Sequence, residues 1–145
     1  MISNRDERFI DMAANEALRS KCLMRHGCVA VINGRIVGRG CNNYRCHSSD
    51  GFINNTMTCH AEIAAIRNAS KQNIKFNKIV LYVVRVDANN SLKLSAPCID
   101  CMEKINALNI KRIVHSTNKG TLITQKPKNI INNHITTGRR RLTNA

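Results

Sequence analysis

The segment KIVLYVVRV, residues 78–86, is a near-continuous run of β-branched and aliphatic residues. A strand with one face in water alternates apolar with polar side chains, whereas a strand covered on both faces does not. The run therefore suits a central strand buried on both faces, and such a strand calls for a covering layer above and below it.

The flanking segments supply those layers. Residues 7–19, ERFIDMAANEALR, place apolar residues at 9, 10, 13, 14, 17 and 18, a helical stripe. CVAVING and RIVGRGC read as two strands around a turn at Asn33-Gly34, a strong hairpin signal. HAEIAAIRNAS returns to helical spacing through 61, 63, 64, 66 and 69. PCIDCMEKINALN opens with proline at a helix-entry position, and IKRIVHS reads as another buried strand. DANNSLKLS lies between them as a loop or short excursion. Residues 41–57 are polar and rich in turn formers, a long loop of the kind that is often functional. Beyond Asn118 the pattern weakens and predicts no element. The order helix, hairpin, helix, strand, helix, strand argues for an α/β domain with helices covering a mixed sheet.

With 145 residues and neither internal repeat nor linker, a single domain over 1–145 is expected. Aromatic residues make up only 3% and tryptophan is absent, so the core must be built mainly from Ile, Val, Leu and Ala. No run approaches the roughly 20 apolar residues of a membrane span. The N-terminal MISNRDERFIDM is charged and lacks the apolar region of a signal peptide. The expectation is a soluble, intracellular protein, cytoplasmic and without a membrane partner. Seven cysteines in a reducing compartment are then free thiols or metal ligands.

The formal charge of +14 is unevenly distributed. Residues 1–103 hold 14 basic and 9 acidic residues, whereas 104–145 hold nine basic residues and no acid. A basic segment from about residue 117, ending in GRRRL (138–142), can meet nucleic acid, a phosphorylated substrate or an acidic partner. It can equally be a solvated tail.

Chemistry concentrates in two short stretches. In APCIDC, Cys98 and Cys101 stand three apart at a helix start, where both sulfurs can reach one metal. The helix N-terminus favours negative charge and so the thiolate that zinc requires. In TCHAEIAAI, His60 provides a third ligand, and three protein ligands leave a position open, as in a catalytic site. Zinc can bring the pKa of a bound water down to about 7. Residues i and i+2 on a regular helix point to nearly opposite sides, so His60 and Glu62 can serve one metal only where the chain enters the helix. From there Glu62 can accept a proton and pass it to a leaving group.

H-x-E followed by P-C-x-x-C is the signature of the zinc-dependent cytidine deaminase superfamily, which the chain resembles over about residues 7–116. ALRSK, HGCVAVINGRIVGRGCN, CHAEIAAI, LYVV and APCIDCMEKINALNIKRIVHS are similar to successive segments of the deoxycytidylate deaminase branch. The resemblance implies a three-layer α-β-α fold with a mixed, mostly five-stranded sheet. It implies Zn2+ held by His60, Cys98 and Cys101, with Glu62 as proton shuttle. It makes Asn42, in Gly40-Cys41-Asn42, a ribose contact, for which a turn-forming asparagine is the alternative. It gives the Ala61 backbone a part in positioning the base.

The implied reaction is hydrolysis of a cytosine nucleotide or nucleoside to the uracil form with release of ammonia, in a homo-oligomer. The alternative is a deaminase acting on cytosine or adenine within RNA or single-stranded DNA, which the basic C-terminal third would suit. HAEIAAIRNA is also similar to the corresponding helix of transfer-RNA adenosine deaminases. Cys41, Cys46, His47 and Cys59 offer donors for a second zinc, but their spacing matches no established pattern.

Overall fold

A computed structural model describes residues 3–22, 24–43, 60–95, 99–117 and 119–127. Helix α1 (Asn4–Ala17) begins earlier than its apolar stripe predicts, because Ser3 caps it. The Ser3 hydroxyl accepts from the Asp6 N–H (3.1 Å) and Asp6 Oδ2 accepts from the Ser3 N–H (3.2 Å), so two donors at the helix start are satisfied reciprocally.

Strands β1 (Arg25–Ile32) and β2 (Arg35–Cys41) form the hairpin expected around Asn33-Gly34. Both turn residues take positive φ (49° and 79°), the conformation of a two-residue turn whose twist matches its strands. The pairing slips by one residue between Ala30 and Val31: Val31 faces Ile36, whereas Ala30 faces Gly38. Val37 is the extra residue of this bulge, and its carbonyl accepts from Gln72 Nε2.

Helix α2 (Ala61–Ala69) lies over the hairpin, and β3 (Val80–Val86) is the central strand predicted from its β-branched run. Helix α3 (Ile99–Ala107) carries the chain to β5 (Arg112–Ser116), which runs parallel to β3. Asn109, at φ 57°, takes the left-handed position that ends the helix. Two strands go beyond the sequence expectation. Strand β4 (Leu92–Lys93) is a two-residue pairing on β3 inside the expected loop, and β6 (Leu122–Gln125) adds to β5 antiparallel. The sheet order is β2-β1-β3-β5-β6, with β4 beside the end of β3.

The alternation of β1 and β3 divides the interior into two cores. Cys28, Ala30, Leu81 and Val83 meet α2 and α3 through Ala61, Ile63, Ile66, Met102 and Ile105. Val29, Val31, Tyr82, Val84 and Val86 meet α1 through Phe9, Ile10, Ala13 and Ala17. This is the three-layer α-β-α arrangement, with a six-stranded mixed sheet in the middle. On the α1 face the Tyr82 hydroxyl donates to Asp6 Oδ1 (2.6 Å), and Arg112 Nη2 lies 3.3 Å from the same oxygen. Among the described residues no helix is long and apolar enough to cross a membrane.

Candidate active site

The hairpin lets α2 approach its backbone closely. A Cβ on Gly40 would stand 2.6 Å from both Ala64 Cβ and Ala65 N, and one on Gly38 would stand 2.3 Å from the Ala65 carbonyl oxygen. The side chains of α2 and its C-terminal turn also reach this strand: Arg39 N–H donates to Asn68 Oδ1 at 3.0 Å. The N-terminus of α2 is thereby fixed over the Gly40–Asn42 end of the hairpin.

His60 is the residue before that helix, with extended backbone (φ −77°, ψ 153°), and its carbonyl accepts from the Ala64 N–H at 3.0 Å. Extended backbone at 60 followed by helix from 61 removes the ordinary i, i+2 opposition, as the sequence required of this pair. His60, Glu62 and Cys101 each offer one ligand atom, and these atoms lie within 4.8 Å of one another. His60 Nδ1 is 3.1 Å from Cys101 Sγ. Glu62 and Cys101 are buried, whereas His60 is half-buried. An imidazole and a buried thiol in contact are the borderline-soft donors that zinc accepts, so the residues present fit that metal. Cys98 and Pro97 lie outside the described residues.

Beneath Glu62 the sheet presents Cys28, which is fully buried. Burial first, and then the Glu62 carboxylate, push the Cys28 thiol well above its ordinary value, so it stays neutral and apolar there. This agrees with a packing role for Cys28. Cys41 points to the opposite face, where burial is the main cause raising its thiol, and the Arg19 guanidinium nearby acts the other way. The second-zinc candidates Cys46, His47 and Cys59 lie outside the described residues, as do most of loop 41–57 and the GRRRL segment.

Asn42 has a well-defined setting. Its Oδ1 accepts from the Ser20 hydroxyl (2.6 Å) and the His26 N–H (2.9 Å), and its Nδ2 donates to the Met24 carbonyl (2.6 Å). The carboxamide thus ties the α1–β1 connection to the end of β2. One Nδ2 hydrogen is left for a ligand. Ala61 is buried at the first position of α2, where a helix leaves its N–H groups without intrahelical acceptors. Ser20, which orients Asn42, escapes sequence reading because nothing local links positions 22 residues apart.

The family model of the cytidine and deoxycytidylate deaminase zinc-binding region matches residues 3–117. A deoxycytidylate deaminase of Schizosaccharomyces pombe is 30% identical over 129 residues, covering 77% of this chain and 37% of that protein. The chain thus spans well under half the length of that relative. The dCMP deaminase of cyanophage S-TIM5, in apo form, is similar in structure with a TM-score of 0.63 at 22% identity, over 81% of this chain and 86% of that one. Cytidine deaminase from Burkholderia pseudomallei is similar with a TM-score of 0.66 at 18% identity, over 89% of this chain and 98% of that one. These likenesses establish the fold, and the family match spans every element up to β5.

Proposed function

Because the chain belongs to the family of the cytidine and deoxycytidylate deaminase zinc-binding region, we propose that it is a zinc-dependent hydrolytic deaminase of a cytosine nucleotide or nucleoside. The observation that carries the reading is the convergence of His60, Glu62 and Cys101 within 4.8 Å at the mouth of α2. His60, Cys101 and Cys98 would hold the zinc, which when bound supplies a water acidified to a pKa of about 7.

The rest is the work of this chain's own residues. Glu62, buried beside the ligand atoms, takes one proton from the attacking water and delivers it to the ring nitrogen, then takes the second from the newly added hydroxyl and delivers it to the departing amine. Water and cytosine leave as uracil and ammonia, with Glu62 restored to its carboxylate. The apolar floor of Cys28, Ala61 and Val83 excludes competing water. Asn42 offers its remaining Nδ2 hydrogen to the sugar, and the Ala61 N–H faces the base. Residues 1–145 act as one deaminase domain, whose basic segment from about 117 follows the catalytic core, and copies associate into a homo-oligomer.

Ammonia release tests this directly, with C, A and G nucleosides, nucleotides and single-stranded oligonucleotides offered to the purified protein. Release from cytosine mononucleotides or nucleosides, lost in Glu62→Ala, is expected. A variant that turns over normally would sink the mechanism. A second reading, deamination within RNA or DNA, is favoured by the nine basic residues and no acid in 104–145. It requires turnover of oligonucleotides in place of mononucleotides, with binding that weakens steeply as salt is added.

A further inference from the structure

On the sheet face that carries α2, the row of residues beyond Cys28 and Val83 is polar across four strands. Asn42 exchanges hydrogen bonds with His26: its N–H donates to the His26 carbonyl (3.2 Å), and its Oδ1 accepts from the His26 N–H (2.9 Å). His26 faces Arg85 across the β1–β3 pairing, and Arg85 faces Lys93 across β3–β4. Alternation places the row on the α2 side, since Cys28 and Val83 belong to that core while Val84, Val86 and Leu92 pack on the other. With strands about 4.8 Å apart, the row runs roughly 14 Å from Asn42 to Lys93. It lies at the sheet end over which α2 begins, and therefore beside His60 and Glu62.

Arg85 is the anomaly in this row. Its Nε is buried and has no hydrogen-bond partner among the described residues. A buried guanidinium donor without an acceptor is rare, and a ligand oxygen is one acceptor that can complete it. Among the described residues the Lys93 ammonium next to it makes one ion pair, with Asp87 at 3.7 Å, and its side chain is 37% exposed. A planar fork of donors beside an ammonium is a pairing suited to a phosphate, which takes bidentate hydrogen bonds from arginine and a point charge from lysine.

We propose that Arg85 and Lys93 receive the phosphate of a nucleotide whose base sits at the His60–Glu62–Cys101 cluster, so that the substrate is a nucleoside monophosphate. The proposal rests on the deaminase reading above and adds to it the group that separates nucleotide from nucleoside. Asn42, the proposed sugar contact, lies in the same row two strands from Arg85, with His26 between them.

The test compares wild type, Arg85→Gln and Lys93→Gln on three substrates: cytidine or deoxycytidine, the matching 5′-monophosphate, and a cytosine-containing single-stranded oligonucleotide. Equilibrium binding of the uracil nucleoside and its monophosphate is measured in parallel. In Arg85→Gln the ratio of kcat/KM for monophosphate over nucleoside should fall about 10- to 100-fold, mostly through KM. In Lys93→Gln, at a partly exposed position, it should fall about 3- to 10-fold. An unchanged ratio in both variants would overturn the proposal while leaving the deaminase reading intact. If no cytosine compound is turned over, that reading fails. A Kd for the uracil monophosphate that weakens in Arg85→Gln would then still support the phosphate contact, and an unchanged Kd would overturn it. Dependence on Arg85 confined to the oligonucleotide would overturn the free nucleotide as the source of the phosphate.

Discussion

His60 Nδ1 and Cys101 Sγ lie 3.1 Å apart although 41 residues separate them in the chain. Each belongs to the start of a different helix, α2 and α3, and both helices cover the same face of the sheet. At that distance the two donors share either a proton or a metal ion. One zinc per chain is therefore expected by elemental analysis of the purified protein. Cys101→Ser and His60→Ala should each lose most of it and unfold at lower temperature, since ligand binding free energy is also folding free energy. A Cys101→Ser protein with full zinc content would show that the metal is held elsewhere.

Glu62 is only 4% exposed yet carries an ionisable carboxyl. Glu62→Gln keeps its volume and hydrogen-bonding reach while removing the proton acceptor. The expected result is a kcat lower by about 10²- to 10⁴-fold, with zinc content and thermal midpoint close to wild type. A Glu62→Gln protein that releases ammonia at wild-type rates would remove Glu62 from the proton path.

Gly40 has no room for a methyl group, because its Cβ would stand 2.6 Å from Ala65 N on the α2 backbone. Gly40→Ala must push the helix outward, at a cost of about 1–3 kcal/mol. Since α2 carries His60 and Glu62, activity should fall along with stability. Gly120→Ala is the informative comparison. Nothing lies within 4 Å of its Cβ, and only its φ of +76° resists the change. That variant should lose about 1 kcal/mol of stability from backbone strain and keep its kcat. Equal kcat losses in the two would show that the helix position is not what matters.

Asp6 links stability to pH on the opposite face of the sheet. Burial pushes its carboxyl up, but the Tyr82 hydroxyl, the Ser3 backbone, Arg112 and the Ser3 hydroxyl together outweigh this, and the net value lies below the ordinary 3.8. A depressed carboxyl stabilises the fold above its unfolded value and loses that contribution as pH falls through the folded value. Acid unfolding should thus steepen below about pH 4. In Asp6→Asn that steepening should shrink, while neutral-pH stability drops by about 1–3 kcal/mol as the Tyr82–Arg112 contacts lose their anion. Identical acid limbs in wild type and variant would assign the transition to other carboxyls.

What could be read from the sequence was local. The hairpin at Asn33-Gly34, the central strand at 80–86 and the helix starting at 61 each announce themselves within a few residues. The pairing of His60 with Glu62 needed only the position of a helix start. Joining them to Cys101 rests on the donor chemistry of a metal site and on the resemblance, because the spacing of two stretches does not by itself bring them together. The Tyr82–Asp6 contact spans 76 residues and has no signal in either neighbourhood. Strand β4 is two residues long and has no periodicity to detect, yet it fixes Lys93 beside Arg85. The apolar stripe of α1 starts only at Phe9, whereas the helix start at Asn4 is set by the polar Ser3–Asp6 capping box, which the stripe does not reach.

The bulge at Val37 sets the phase of everything downstream on β2. Were it absent, Ala30 would face Val37, Cys28 would face Arg39, and Cys41 would stand opposite His26. The helix would then meet valine and arginine where it now meets glycines, and the polar row would begin with a thiol in place of a carboxamide. One surplus residue works as a half-turn of the ribbon. It decides which of two alternating sets of side chains looks toward the chemistry and which looks away.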